Sequence, residues 1–85
     1  MTIDQLQKTL TQLGCRSFEI VELERGSFAV TIVSPLFRDL PHMRRQQTLW
    51  RALRETLSAG DLSEVKSLRT LTPLESIKEE SGRNM

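Results

Sequence analysis

The sequence has 85 residues, of which 38% are hydrophobic and 27% charged, values typical of one small globular domain. It contains no apolar run of about 20 residues that could cross a bilayer. Its 12 basic and 11 acidic side chains give a formal net charge of +1, which excludes the strong overall positive field of many nucleic-acid-binding proteins. The single cysteine, Cys15, excludes an internal disulfide and an all-cysteine metal site, and we expect it to be a half-buried apolar residue.

The first predicted element is an amphipathic helix. Thr2 precedes Gln5 by three positions, which is the spacing of a capping box at a helix amino terminus. Apolar residues then recur at helical steps, and Gly14 is suited to close the helix. These apolar positions are Ile3, Leu6, Leu10 and Leu13.

Two β-strands are predicted next, in FEIVELE (residues 18–24) and SFAVTIVS (residues 27–34). Arg25 and Gly26 lie between them, where a glycine can adopt the positive φ of a tight hairpin. The second strand is apolar on both faces, which predicts that it is the more central of the two.

The second predicted helix is long and amphipathic. Pro35 ends the preceding strand, and Asp39 is expected to cap the helix with Pro41 in its first turn. Helical periodicity places Arg44 and Arg51 opposite an apolar arc that should pack on the sheet. The arc consists of Met43, Leu49, Trp50, Leu53 and Leu57.

The last third of the chain predicts a third strand and a short terminal helix. Ala59-Gly60-Asp61 breaks the second helix, EVKSLRTLT (residues 64–72) is β-prone, and Thr72 begins a second capping-box pattern. The predicted fold is α+β with the order α-β-β-α-β and a short C-terminal helix, in which helices pack on one face of a three-stranded sheet. We expect one domain over residues 1–80 and a flexible tail over residues 81–85.

Positive charge is concentrated in the second helix and the loop before it. Residues 38–58 hold five arginines and two acids, whereas the segments on either side each carry a net charge of −1. Four basic side chains lie near the helix amino terminus, where free backbone N–H groups also favour an anion. They are Arg38, His42, Arg44 and Arg45. The alternative is a solvated helix face on which Arg51 and Glu55 form a weak pair.

Gln46 and Trp50 both fall on the apolar arc of the second helix. Trp50 is expected in the core. A buried amide needs partners, so Gln46 should either bond the backbone of a neighbouring element or mark a partly exposed stretch of the helix. The sequence contains no catalytic motif, and His42 is its only histidine, so we predict a non-enzymatic protein without a metal or cofactor.

From residue 26 to residue 57 the sequence resembles the BolA family without a gap. GSFAVTIVS resembles the glycine, histidine, phenylalanine and V-x-V-V-S strand of that family, and Phe37 matches its S-x-x-F motif. Arg45-Gln46-Gln47 stands where the family has R-H-R, and Trp50 stands at its aromatic position.

The resemblance extends over about residues 18–75, within the usual uncertainty of element boundaries. LRTLTPLE resembles the closing L-x-T-L-T-P-E segment of the family, after an insertion of about two residues around residues 60–61. The implied fold is similar to that of type II KH domains, but the GxxG loop with which KH domains clamp single-stranded nucleic acid is absent from the sequence.

BolA-like proteins are typically non-enzymatic, and the resemblance implies a protein partner. Members pair with monothiol glutaredoxins, some sharing a [2Fe-2S] cluster, and others are assigned to transcriptional control. The shared cluster uses a histidine before the last strand and a histidine or cysteine in the hairpin region. Here these positions hold Glu64, or Lys66 if the insertion is placed differently, and Ser27. Serine and lysine are not plausible replacements for imidazole or thiolate ligands of iron.

Two functional hypotheses follow. The first is a BolA-like adaptor that binds a monothiol glutaredoxin without the usual ligands. The second is a nucleic-acid-binding regulator in which Arg38, Arg44, Arg45 and Lys66 contact phosphates. A purely structural role in an assembly is a third reading. The amino-terminal residues lack the pattern of a signal peptide, so we expect a cytoplasmic protein or a processed organellar product. We also expect a monomer or a weak dimer.

Overall fold

The computed structural model describes residues 1–24 and 26–83, with side chains described as far as Glu79. Its elements run α-β-β-α-α-β-α along the chain, and three strands form one sheet. The predicted α+β class, with a C-terminal helix, is therefore confirmed. None of the described helices has the length and apolar character needed to span a membrane.

Helix α1 (Ile3–Gln12) begins and ends as predicted. The Thr2 hydroxyl accepts a hydrogen bond from the Gln5 N–H, and the Gln5 side chain accepts one from the Thr2 N–H. Gly14 follows the helix with φ of 90°, a left-handed conformation that costs glycine little. Leu6 and Leu10 of the apolar stripe are fully buried.

Strands β1 (Ser17–Glu22) and β2 (Phe28–Val33) form an antiparallel hairpin. Gly26 has the positive φ expected in the turn, at 77°, whereas Arg25 lies outside the described residues. Strand β3 (Val65–Leu71) pairs with β2 in parallel, so β2 is the central strand, as its apolar composition predicted.

Helix α2 (His42–Thr56) follows a short 3₁₀ helix, Pro35–Phe37. The prediction that Asp39 caps α2 is wrong, because Pro41 occupies the cap position in an extended conformation and makes no side-chain cap bond. The predicted apolar arc also begins too early, since Met43 is 72% exposed.

Helix α3 (Ala59–Glu64) was not predicted. Residues 59–61, interpreted from the sequence as a helix break, form its first turn. The break itself lies at residues 57–58, and Ser58 caps the new helix by accepting a hydrogen bond from the Asp61 N–H at 3.1 Å.

Helix α4 (Pro73–Arg83) begins with the predicted capping box. The Glu75 carboxylate accepts from the Thr72 N–H at 2.7 Å, and the Thr72 hydroxyl accepts from the Glu75 N–H at 3.2 Å. Residues 81–83 of the predicted tail belong to this helix. Residues 84–85 lie outside the described residues.

The core lies between α1, α2 and one face of the sheet, as predicted for helices packed on a single face. Alternate residues of β2 point into it, and β3 adds two more. The buried apolar residues of these elements are Leu6, Leu10, Phe28, Val30, Ile32, Leu49, Leu53, Val65 and Leu68. Helix α4 instead borders the opposite sheet face, which α1 and α2 do not cover.

Candidate functional site

Arg45 is a structural residue rather than the surface contact predicted from the sequence. Only 4% of it is exposed. Its Nε donates to the Leu40 carbonyl oxygen at 2.8 Å, and a terminal nitrogen donates to Glu75 Oε1 at 2.8 Å. That nitrogen also donates to the Thr70 carbonyl oxygen at 3.5 Å, and the guanidinium carbon lies 5.7 Å from the centre of the Phe37 ring. Arg45 therefore joins α2 to its preceding loop, to β3 and to α4, and it is not available to a phosphate.

Glu75 is the anionic partner in this connection. The Thr72 backbone N–H, and after it the Arg45 guanidinium, donate hydrogen bonds that hold the pKa of the Glu75 carboxyl below its ordinary value. The carboxylate therefore caps α4 and anchors α2 at the same time.

Gln46 also belongs to the fold. Its side-chain nitrogen donates to the Leu68 carbonyl oxygen of β3 at 2.6 Å, and its side-chain oxygen accepts from Trp50 Nε1 at 3.0 Å. The amide is half-buried, and its bond to a neighbouring strand is the first of the two alternatives that its position on the apolar arc left open. Trp50 is half-buried against the core.

The four basic residues predicted to form one anion site are divided among different environments. Arg45 is buried, whereas Arg38, His42 and Arg44 are exposed. Arg38 follows the 3₁₀ helix, His42 is the first residue of α2, and neither lines the groove that contains Arg44.

That groove defines the arginine face of α2. It has a volume of about 440 Å³ and is lined by Arg44, Gln47, Thr48, Arg51 and Arg54, all exposed. Among the side chains of residues 1–24 and 26–79, no ion pair joins its three guanidinium groups to a carboxylate, so the weak Arg51–Glu55 pair of the alternative reading is not formed. Like charges one turn apart slightly destabilise a helix, so helix stability does not account for this arrangement of arginines.

Sequence reasoning missed the composition of this face. It assigned Arg44 and Arg51 to the exposed side but did not group Arg54 with them. The seven-residue and three-residue separations that connect Arg44, Arg51 and Arg54 were sufficient to group them, because both bring side chains to one side of a helix.

Ser27 and Glu64, the substituted ligand positions of the family, lie at one end of the sheet, which we call the 27/64 end. Ser27 directly precedes β2 and Glu64 directly precedes β3. The two strands run in parallel with Phe28 paired to Val65, so both residues are at the amino ends of neighbouring strands. The structure thus places these two positions at the same end of the sheet.

The side chains at the 27/64 end do not fit an iron–sulfur cluster. Ser27 Oγ donates to the Glu24 carbonyl oxygen at 3.5 Å, and Glu64 Oε2 lies 2.9 Å from the amino nitrogen of Met1. The hydrogen bond from that amino group to Glu64 is the main cause that raises the pKa of the Met1 amino group. Among the residues with described side chains, no group of three or more His, Cys, Asp or Glu is placed to hold a metal ion.

Lys66 and Cys15 take up other positions. Lys66 is exposed at a β-bulge, where the pairing of β3 shifts between Phe28 and Ala29, and it is not part of the arginine face. Cys15 is half-buried, and burial raises the pKa of its thiol, so the reactive thiolate is disfavoured at neutral pH.

Comparison with known proteins found no matching family model, no matching curated protein and no matching solved structure. Two surfaces of the described residues are candidate binding sites, the 27/64 end and the arginine face.

Proposed function

We propose that the chain is a cytoplasmic, non-enzymatic BolA-like adaptor that binds a protein partner, a monothiol glutaredoxin in the first instance, without contributing cluster ligands. The observation that supports this proposal is the juxtaposition of Ser27 and Glu64 at the amino ends of the paired strands β2 and β3. These are the two positions at which the resemblance implies a shared partner site.

The chemistry of the 27/64 end determines how this adaptor binds. A serine hydroxyl and a carboxylate already paired with an amino group offer hydrogen bonds and shape, but not the soft ligands that an iron–sulfur cluster needs. Recognition therefore depends on protein–protein contacts, and the affinity for the partner is the same whether or not the partner carries a cluster.

Calorimetric titration of the protein with a monothiol glutaredoxin, apo and [2Fe-2S]-loaded, tests this proposal. We expect both forms to bind with similar dissociation constants. The double variant S27H/E64H should bind the loaded form more tightly than the apo form, because imidazole ligands are restored. The matched control S63H places a histidine on the exposed part of α3 and should give no such preference. Absence of binding by both forms contradicts the proposal.

A second candidate function is nucleic-acid binding, and the arginine face is the observation that favours it. Arg44, Arg51 and Arg54 form a positively charged groove without carboxylate partners among the described residues. Because Arg45 is buried, any phosphate contacts come from this face rather than from the residues predicted at the helix amino terminus.

Salt-dependent binding of duplex DNA tests this second candidate. Three phosphate contacts predict a log–log salt slope of about −2.7. The double variant R51Q/R54Q should reduce that slope to about −0.9. The control variant K8Q/R16Q removes the same charge from exposed positions outside the groove and should leave the slope unchanged. A slope that does not respond to R51Q/R54Q contradicts this candidate.

A further inference from the structure

Helix α4 turns its polar side to its own sheet and its apolar side to solvent. Ser76 and Glu79 line a groove over the open sheet face, and Glu79 pairs with Arg69 of β3. Leu74 and Ile77 are 61% and 59% exposed. Helical geometry places these two residues on the side of α4 opposite Ser76 and Glu79. This orientation is the reverse of what an amphipathic helix adopts when its own domain provides its only contacts.

The open sheet face presents a groove with apolar side chains on either side of a polar row, which consists of Glu19, Thr31 and Arg69. The groove has a volume of about 490 Å³ and extends from α4 across β2 to β1. Val21 pairs with Ala29, and Val33 pairs with Leu71, so two rows of the sheet present apolar side chains along its floor. Val21 is 47% exposed.

We propose that a second copy of this chain covers the open sheet face, with the apolar side of α4 from each copy lying on the sheet of the other. The two helices then lie between the two sheets. Each contacts its own sheet through Ser76 and Glu79 and the partner's sheet through its Leu74 and Ile77 positions. The contact is isologous, so every interaction forms twice.

A second copy fits because one chain carries both halves of the interface, the exposed apolar side of α4 and the groove on the open sheet face. In a symmetric dimer, the apolar side of each α4 can contact the groove of the other copy. Charge complementarity supports the same choice. Glu19 lines the groove on the β1 side, and Lys78 is exposed beside Ile77. Neither forms an ion pair within the described part of the chain. The proposed packing brings Lys78 of each copy towards the Glu19 side of the other groove.

The dimer is weak. Helix α4 has 11 residues, which corresponds to a length of about 16 Å. Two such helices, each on one small sheet, make an interface at or below the roughly 1,200 Å² of stable complexes. Association should therefore depend on protein concentration in the micromolar to millimolar range.

Sedimentation equilibrium across that concentration range tests the dimer. We expect the apparent mass to rise from monomer to dimer and the variant I77E to remain monomeric at every concentration. The matched control L36E changes an apolar residue that is 82% exposed and lies outside the groove, and it should dimerise like the unaltered protein. Circular dichroism of both variants verifies that the fold is retained.

A charge exchange sharpens the same experiment. The variants E19K and K78E should each weaken association, and the double variant E19K/K78E should restore it, since the two charges then exchange places across the interface. A protein that is monomeric at all concentrations, or an I77E variant that still dimerises, overturns the proposal.

Discussion

The two sides of helix α2 contain similar residue types but differ in their roles. On the inner side, Arg45 and Gln46 are held by β3, α4 and the preceding loop through hydrogen bonds of 2.6–3.5 Å. On the outer side, Arg44 and Gln47 are exposed and line the arginine face. Arg44 and Arg45 are adjacent residues of the same type, as are Gln46 and Gln47. The members of each pair differ only in the side of the helix that they face.

This difference shows that the charge of a segment does not by itself identify a binding site. Arg45 is among the least exposed residues of the chain, and its charge is neutralised by Glu75 thirty positions later. Substitution of Arg45 should therefore lower the stability of the fold. Substitution of the exposed arginines on the outer side should mainly change the binding of a partner. The predictions below separate these two outcomes, from the largest expected effect to the smallest.

The variant R45M should lower the free energy of unfolding by about 2–3 kcal/mol, because two backbone carbonyl oxygens lose their buried donor. The matched variant R44M should change it by less than about 0.5 kcal/mol, as is usual for an exposed position. Urea denaturation followed by Trp50 fluorescence measures both. Equal effects of the two substitutions would show that the proposed division of α2 is wrong.

The variant Q46A should lower the free energy of unfolding by about 1–2 kcal/mol, since it leaves the Leu68 carbonyl oxygen and the Trp50 indole N–H without their partner. The variant Q47A, one position along the same helix, should have a free energy of unfolding within about 0.5 kcal/mol of that of the unaltered protein. Comparison of their urea midpoints is the measurement, and a Q47A effect as large as that of Q46A contradicts the assignment.

Stability should decrease at acidic pH through Glu75. Hydrogen bonds from the Thr72 N–H and from Arg45 lower the folded-state pKa of this carboxyl. Its contribution is therefore fully present above the unfolded-state pKa and is lost as the pH falls through the lower, folded-state pKa. The difference in urea midpoint between the unaltered protein and E75Q should be largest near neutral pH and should decrease in acid. A difference in urea midpoint that does not decrease in acid contradicts this role of Glu75.

The smallest effect is expected on the arginine face. R51Q/R54Q should leave the free energy of unfolding unchanged or raise it by up to about 0.5 kcal/mol, because it removes like charges one turn apart. Thermal unfolding at low ionic strength detects this change, which should disappear at high salt. Marked destabilisation would mean that these arginines, like Arg45, belong to the fold.

Local chemistry made a large part of the fold predictable. The capping boxes at Thr2 and Thr72 and the left-handed Gly14 and Gly26 depend on residues close in sequence, and all four occur in the structure. The central position of β2 follows from apolar residues on both of its faces.

The errors have physical causes that differ from one region to the next. Gly60 obscured helix α3, although Ser58 followed three positions later by Asp61 is a recognisable capping pattern. The burial of Arg45 could not be read from helical phase alone, because its partners Leu40, Thr70 and Glu75 come from three separate elements. The inverted orientation of α4 is likewise a property of tertiary packing.

Amide NMR of the labelled protein, titrated with apo and [2Fe-2S] monothiol glutaredoxin, is the most direct test of the proposed adaptor function. The proposal predicts shifts at the 27/64 end, in residues 26–28 and 64–67, that are alike for both forms of the partner. Absence of shifts with either form, or shifts confined to residues 44–54, would contradict it.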